Sequence, residues 1–290
     1  MRRMKRRALG STGLEIPLLG LGAGGLGDVH LAEADVRRVL DVALELGVTL
    51  VDAAPSYGEA EVRLGRHLRQ VPQVLVSTKV GYGVEGVPDW TGPCITAGIE
   101  AARRRLQRDV IDVVHLHSCP LDVLERGDVV EALVRAREAG ALRVAAYSGD
   151  GPPLEWAARS GAFGAVQASF SLCDRANRPV LESFRGAGGG VFAKRVIANA
   201  AWRGPPAGAE VYHDRWKALA LDLRGRDPAE VALRYAAHHG PADGILMGTR
   251  SADRLRAAVA AVERGPLEPE WVHHIEERWA AVGEGWPGHV

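Results

Sequence analysis

Lysine is scarce in this 290-residue chain. Of 36 basic side chains only Lys5, Lys79, Lys194 and Lys217 are lysine, and arginine supplies the rest. A lysine that persists against such a bias draws notice, because an ammonium can shift its pKa and do chemistry that a guanidinium cannot. Cysteine is scarcer still. Cys94, Cys119 and Cys173 lie far apart with no C-x-x-C spacing, which argues against a disulfide framework or a zinc site and fits reduced thiols in the cytoplasm. Net charge is absent too: 36 acidic residues balance the 36 basic ones, so no overall field draws the chain to nucleic acid or to an anionic membrane. No apolar run has the length to span a bilayer. The basic start "MRRMKRR" passes into "ALGSTGLEIP" rather than into the apolar core of a secretory signal.

What is present is an alternation. Hydrophobic residues make up 47% and charged residues 25%, as in soluble globular proteins. Apolar, strand-like runs occur at 18–22, 49–54, 74–80, 111–118, 142–148, 165–171, 190–196 and 244–249. Stretches with apolar residues at helical spacing separate most of them, at 59–69, 95–107, 128–139, 153–160, 179–187, 228–239 and 251–263, with "AEADVRRVLDVALELG" after the first. Continuously apolar strands joined by helices make a parallel sheet with helical crossovers. Eight such units favour an α/β fold of the (β/α)8 TIM-barrel type, a parallel eight-stranded barrel, over the alternative of an open doubly wound sheet. The reading is one domain over 1–290, with an N-terminal turn or hairpin and an extra C-terminal helix near 268–281. The longest irregular stretch is 197–214, a candidate lid or binding loop.

In a barrel the loops after the strands form the catalytic face. Asp52, Lys79 and His117 end three consecutive strands, and Tyr57 lies in the loop after the first of these. The set makes chemical sense. A phenol with an ordinary pKa near 10 is a poor acid at neutrality unless a neighbouring ammonium stabilises its phenolate, and a carboxylate can hold that ammonium in place. An imidazole can orient a carbonyl or assist the proton transfer. His115 shares a face with His117, one layer deeper, and reads as an interior, satisfied histidine. There is no serine or cysteine nucleophile elbow, no metal-ligand cluster and no pair of carboxylates on adjacent strand ends.

Along almost its whole length the sequence resembles the aldo-keto reductases. The resemblance is carried by "ALGSTGLEIPLLGLG", "VDAAPSYGEAEVRLGRHL", "VLVSTKV", "DVIDVVHLHSCP", "VQASFSLCDR", "GVFAKRVIANAAW" and "GTRSADRLRAAV". It implies an NAD(P)H-dependent oxidoreductase that interconverts a small aldehyde or ketone and its alcohol, with cofactor extended across the barrel mouth. Tyr57 would act as general acid/base, Lys79 would lower its pKa, Asp52 would anchor Lys79, and His117 would orient the substrate. The implied cofactor-binding set is Gly22, Ser148, Gln167, Lys194, Arg195, Thr249, Arg250 and Arg254, with no metal. Ser148 and Gln167 match positions that meet the nicotinamide carboxamide, although the usual Ser-Asn pair reads Ser148-Gly149 here, leaving Asp150 or a water to replace one contact. Thr249, Arg250 and Arg254 suit an adenosine 2′-phosphate, so NADP is favoured over NAD. Gly248, Ala257 and Ala258 stand where the family usually places larger groups. A monomer is the family's default. Two other functions remain open on sequence: a cofactor-binding regulatory sensor with little turnover, and an isomerase or lyase that uses the Tyr-Lys pair without hydride transfer.

Overall fold

The computed structural model describes residues 4–205 and 207–288. A short antiparallel hairpin, β1 (Arg6–Ala8) and β2 (Glu15–Pro17), opens the chain. Eight parallel strands follow: β3 (Leu19–Gly22), β4 (Leu50–Asp52), β5 (Leu75–Val80), β6 (Ile111–His117), β7 (Leu142–Ser148), β8 (Ala165–Ser169), β9 (Gly190–Lys194) and β10 (Gly244–Gly248). They pair in chain order, and β10 pairs with β3 to close the barrel. The expected (β/α)8 architecture, hairpin included, is what the chain adopts.

Around it lie α1 (Glu33–Glu45), α2 (Ala60–Leu68), α3 (Gly92–Leu106), α4 (Leu121–Arg126), α5 (Asp128–Glu138), α6 (Gly151–Arg159), α7 (Arg178–Gly186), α8 (Glu210–Leu219), α9 (Pro228–His239), α10 (Ala252–Glu263) and the extra α11 (Pro269–Val282). Three helix starts show why they begin where they do. Thr91 accepts a hydrogen bond from the Cys94 amide, Asp227 from that of Ala229 and Ser251 from that of Arg254, each satisfying an otherwise unpaired N–H of the first turn. Pro93 and Pro228 sit in the first turn, where no N–H is needed.

The period of two along each strand positions the site. The lower interior is apolar: Leu50, Val113, Val144, Ala146, Ala165, Phe192 and Leu246 pack together, and Leu9, Leu14 and Ile16 of the hairpin segment plug them from below. Two residues further along the same strands come Asp52, His115, Ser148, Gln167, Lys194 and Gly248. A polar layer therefore rests on an apolar floor. The intervening residues, such as Val51, Val114, Tyr147, Val166 and Ala193, face outward into the larger core beneath the helices.

The expected irregular stretch at 197–214 is more ordered than its sequence suggested. It holds a 3-10 turn, Ala198–Arg203, in which Asn199 and Ala200 are left-handed (φ 52° and 59°), and then the start of α8. The proline- and glycine-rich "GPPAG" (204–208) hid the change from one to the other. Tyr212 and Leu219 of α8 are buried with Cys173, and Trp216 packs on them. The short α4 and the 3-10 turn Gly24–Gly27 span too few residues to carry a readable period.

Candidate active site

Asp52 and Lys79 end neighbouring stretches of β4 and β5, and both are buried, at 5% and 1% exposure. Lys79 Nζ donates to Asp52 Oδ2 at 2.7 Å and to the Ala53 carbonyl at 2.8 Å. The other carboxylate oxygen, Oδ1, accepts from Ser77 Oγ at 2.8 Å and from Gln167 Nε2 at 3.0 Å. Burial alone would raise the Asp52 carboxyl, but the Lys79 ammonium, His115 and these hydrogen bonds outweigh it and hold it below the ordinary carboxylate range. For Lys79 burial works downward, and Asp52 and Tyr57 overcome it, so the ammonium persists above its usual range.

Tyr57 covers this pair. Its ring lies over Lys79 with Nζ 4.9 Å from the centroid, and it meets His117 edge-on at 6.3 Å. Lys79 acts on the phenol in the direction expected, but burial outweighs it. Burial raises the Tyr57 phenol; Lys79 pulls it down, Asp52 pushes it up, and the net direction is upward from 10. A phenolate in this buried setting is costlier than the nearby ammonium can offset, so the phenol keeps its proton across the neutral range. His117 is also neutral: burial and the charges of Lys79 and Lys194 lower it to about 3. Its Nδ1 lies 2.7 Å from the Tyr82 hydroxyl.

His115 is interior, as expected, but only half satisfied. Its Nε2 lies 3.0 Å from Ser77 Oγ, whereas Nδ1 is buried without a hydrogen-bond partner among the described residues. Burial pushes it to about 3, so it too stays uncharged.

A cavity of about 510 Å³ opens above the four groups, lined by Gly22, Asp52, Tyr57, His117, Gln167, Lys194 and Arg195 among others. It continues into a second cavity of about 710 Å³ that carries Thr249, Arg250, Arg254, Ala257 and Ala258. Gly25, Ile197, Ala200, Met247 and Gly248 line both, so the two form one groove across the mouth. Seven of the eight residues assigned to cofactor binding line that groove. Ser148 does not: it is fully buried and donates to Gln167 Oε1 at 2.8 Å, standing behind Gln167. Nor is Asp150 free to replace an asparagine at 149. Its oxygens accept from Ser169 N at 2.7 Å, Ser169 Oγ at 3.1 Å and Asn177 Nδ2 at 2.7 Å, with Lys194 Nζ at 3.4 Å. Gly149 is glycine for a local reason, since a Cβ there would lie 2.3 Å from the Tyr147 hydroxyl.

At the far end of the groove Arg250 pairs with Asp28 at 2.7 Å, and Arg264 pairs with Glu230. Arg254 lies in the first turn of α10, and its guanidinium has no partner among the described residues. An unpaired guanidinium beside the amino end of a helix suits a phosphate. The groove therefore fits an elongated dinucleotide, with the Tyr57–Lys79 pair at one end and Arg254 at the other. Sequence reasoning did not assign two contributors to the site. Ser77 bridges Asp52 and His115, and Tyr82 contacts His117; each lies within three residues of Lys79, where a search along the same strand and loop could have found it.

Among the described residues no group of His, Cys, Asp and Glu could hold a metal ion, and no helix is long and apolar enough to cross a membrane. All three cysteines are free and buried. Over 287 residues the chain is 29% identical to L-galactose dehydrogenase of Arabidopsis thaliana, covering 90% of this chain and 89% of that one. It is 32% identical over 158 residues to D-threo-aldose 1-dehydrogenase of a Pseudomonas species, covering 44% of this chain and 46% of the relative. An aldo-keto reductase of Bacillus halodurans, solved in its holo form, superimposes with a TM-score of 0.84 at 27% identity, over 95% of this chain and 96% of that one. Residues 18–280 match the model of the aldo/keto reductase family, and with the barrel and these relatives in agreement the chain belongs to that family and is an oxidoreductase acting on carbonyl or alcohol groups.

Proposed function

We propose that this oxidoreductase uses NADP to interconvert a small aldehyde or ketone and its alcohol, with Tyr57 as the proton donor and acceptor. The observation that carries the reading is the stack of Asp52, Lys79 and Tyr57: a buried ammonium held at 2.7 Å by a carboxylate, 4.9 Å beneath the centre of a phenol ring at the cavity floor. A nicotinamide cofactor supplies the hydride when bound. Tyr57 gives its proton to the carbonyl oxygen, and Lys79 stabilises the phenolate left behind. Asp52 keeps Lys79 charged and in place. His117, neutral and open to the cavity, orients the carbonyl.

Gly22, Gln167, Lys194 and Arg195 line the part of the groove that would hold the nicotinamide and pyrophosphate, while Ser148 positions Gln167. Thr249, Arg250 and Arg254 line the part that would take the adenosine phosphate. Arg254, without an acidic partner, supports NADP over NAD. The free buried thiols suit the reducing cytoplasm. Relatives named for L-galactose, a D-threo-aldose and pyridoxal make sugars and small aldehydes the first compounds to assay.

The test is titration with NADPH and NADH followed by a carbonyl and alcohol panel that includes those compounds. Saturable binding with turnover is expected, and Tyr57→Phe should lower kcat by about 10²–10⁴, the range for a lost general acid. Absence of binding by either cofactor, or full activity in Tyr57→Phe, would refute the reading.

A further inference from the structure

Tyr82, in the loop after β5, reaches across to His117 at the end of β6. Its hydroxyl oxygen lies 2.7 Å from His117 Nδ1 and 3.2 Å from Ser56 Oγ. The two rings stack with centroids 5.6 Å apart and planes 24° from parallel. Trp90 packs on Tyr82 at 5.7 Å and is itself seated against Gly81, where an added Cβ would come within 2.2 Å of the indole. The phenol is thus held from both sides. His117 lines the 510 Å³ cavity, and its Nε2 has no partner among the described residues.

A neutral imidazole carries one N–H, and the hydrogen bond made by one nitrogen decides which nitrogen bears the proton. Two arrangements are available. In the first, Ser56 donates to Tyr82, Tyr82 donates to Nδ1, and the proton sits on Nε2 toward the cavity. In the second the chain runs outward, from Nδ1–H to Tyr82 to Ser56, and Nε2 offers the cavity a lone pair. The observed 2.7 Å is compatible with both. The chemistry favours the first. A carbonyl oxygen gaining negative charge is met by a donor in the first arrangement and by a lone pair in the second.

We propose that Tyr82 is a positioning residue: its hydroxyl donates to His117 Nδ1, pins the imidazole as the Nε2–H tautomer, and makes His117 a hydrogen-bond donor to the substrate carbonyl. The proposal rests on the reading of His117 as the group that orients the carbonyl. Ionisable groups around the imidazole are Lys79, Lys194, Asp52 and His115 together with the phenols of Tyr57 and Tyr82; burial, helped by the two ammonium groups, keeps it neutral, so tautomer rather than charge is what Tyr82 controls.

The experiment is nitrogen NMR on the full chain labelled with ¹⁵N-histidine, for the unaltered protein and Tyr82→Phe, paired with NADPH-dependent carbonyl reduction by both, by His117→Ala and by the double variant. Phenylalanine keeps the stacked ring and removes only the hydroxyl. The unaltered protein should show His117 as the Nε2–H form and Tyr82→Phe a mixture of tautomers. In Tyr82→Phe kcat should fall about tenfold, the effect of one ordinary hydrogen bond, with KM for NADPH unchanged. The double variant should be no slower than His117→Ala. An Nδ1–H form in the unaltered protein, an unchanged tautomer in Tyr82→Phe, or additive losses in the double variant would each overturn the proposal while leaving a slow His117→Ala to support the role of His117. Normal turnover by His117→Ala would remove that role and the proposal with it.

Discussion

Gln167 on β8 donates its amide to Asp52 on β4, 3.0 Å away across the barrel. Gln167 is read as a cofactor contact, yet it also holds the carboxylate that holds Lys79. Replacing Gln167 with leucine removes that donor and leaves Ser148 without its acceptor at 2.8 Å. We expect a stability loss of about 1–3 kcal/mol in urea denaturation, the cost of buried polar groups left unpaired. A larger loss of turnover than of NADPH affinity should accompany it, because on the proposed mechanism the carboxylate serves the proton transfer. A change in affinity alone would restrict Gln167 to the cofactor.

The Asp52–Lys79 pair separates the cost of burying charge from the chemistry. Lys79→Met leaves a buried carboxylate without its ammonium and should cost about 3–5 kcal/mol. Asp52→Asn in the same chain keeps an oxygen for Ser77 and Gln167 while removing the charge, so the double variant should recover much of that loss. Turnover should stay at least about a hundredfold down in both, since neither retains the ammonium beside Tyr57. Recovery of activity with stability would mean that Lys79 matters only for folding.

How far this site could be read in advance follows from its geometry. Asp52, Lys79 and His117 stand at strand ends, where a period of two and the βα order fix both face and neighbour. Those are properties of a string of residues. The bond from Gln167 to Asp52 crosses the barrel, and Tyr82 reaches His117 only because of the path its loop takes past Trp90. Neither relation has a sequence period. Gly149 shows the same limit from the other side: its missing side chain looked like a lost contact, and the cause is the Tyr147 phenol that fills the space. The direction of the Tyr57 shift was equally hidden, because the proximity of Lys79 could be inferred but the depth of burial could not.

Stability should fall with acid in two pH windows. His115 and His117 are pushed by burial to about 3, against about 6.5 in an unfolded chain. Between those values the unfolded state binds protons that the folded state refuses, so stability falls as pH drops from 6.5, by about 1.4 kcal/mol per pH unit for each histidine. Asp52 contributes differently. Its carboxyl is depressed, so its contribution is full above about pH 4 and is lost only as pH falls further. Urea midpoints from pH 7 to 5 should therefore slope downward, and His115→Gln should reduce the slope by one histidine's share. Carbonyl reduction should show no inflection near 6.5 and should decline only above pH 10, where the raised Tyr57 phenol ionises. An inflection near 6.5 traced to His117 would contradict the buried, neutral imidazole.

Selectivity for NADP should depend on Arg254, because its neighbours Arg250 and Arg264 are already engaged. Asp28 occupies Arg250 at 2.7 Å, and Glu230 holds both Arg264 and Arg234. A 2′-phosphate on Arg254 gains a charge-assisted contact without breaking an existing pair. Arg254→Ala should weaken NADPH about 10–100-fold, as for loss of a hydrogen bond to a charged group, and change NADH by less than about threefold. Asp28→Asn is the informative counterpart: it releases Arg250 and removes a negative charge near the site, so NADPH should bind several-fold tighter than before. Both effects should shrink in high salt, because Arg250 and Arg254 are exposed and screening at the surface is strong. Equal weakening of both cofactors by Arg254→Ala would place Arg254 at the part of the dinucleotide they share and remove the argument for NADP.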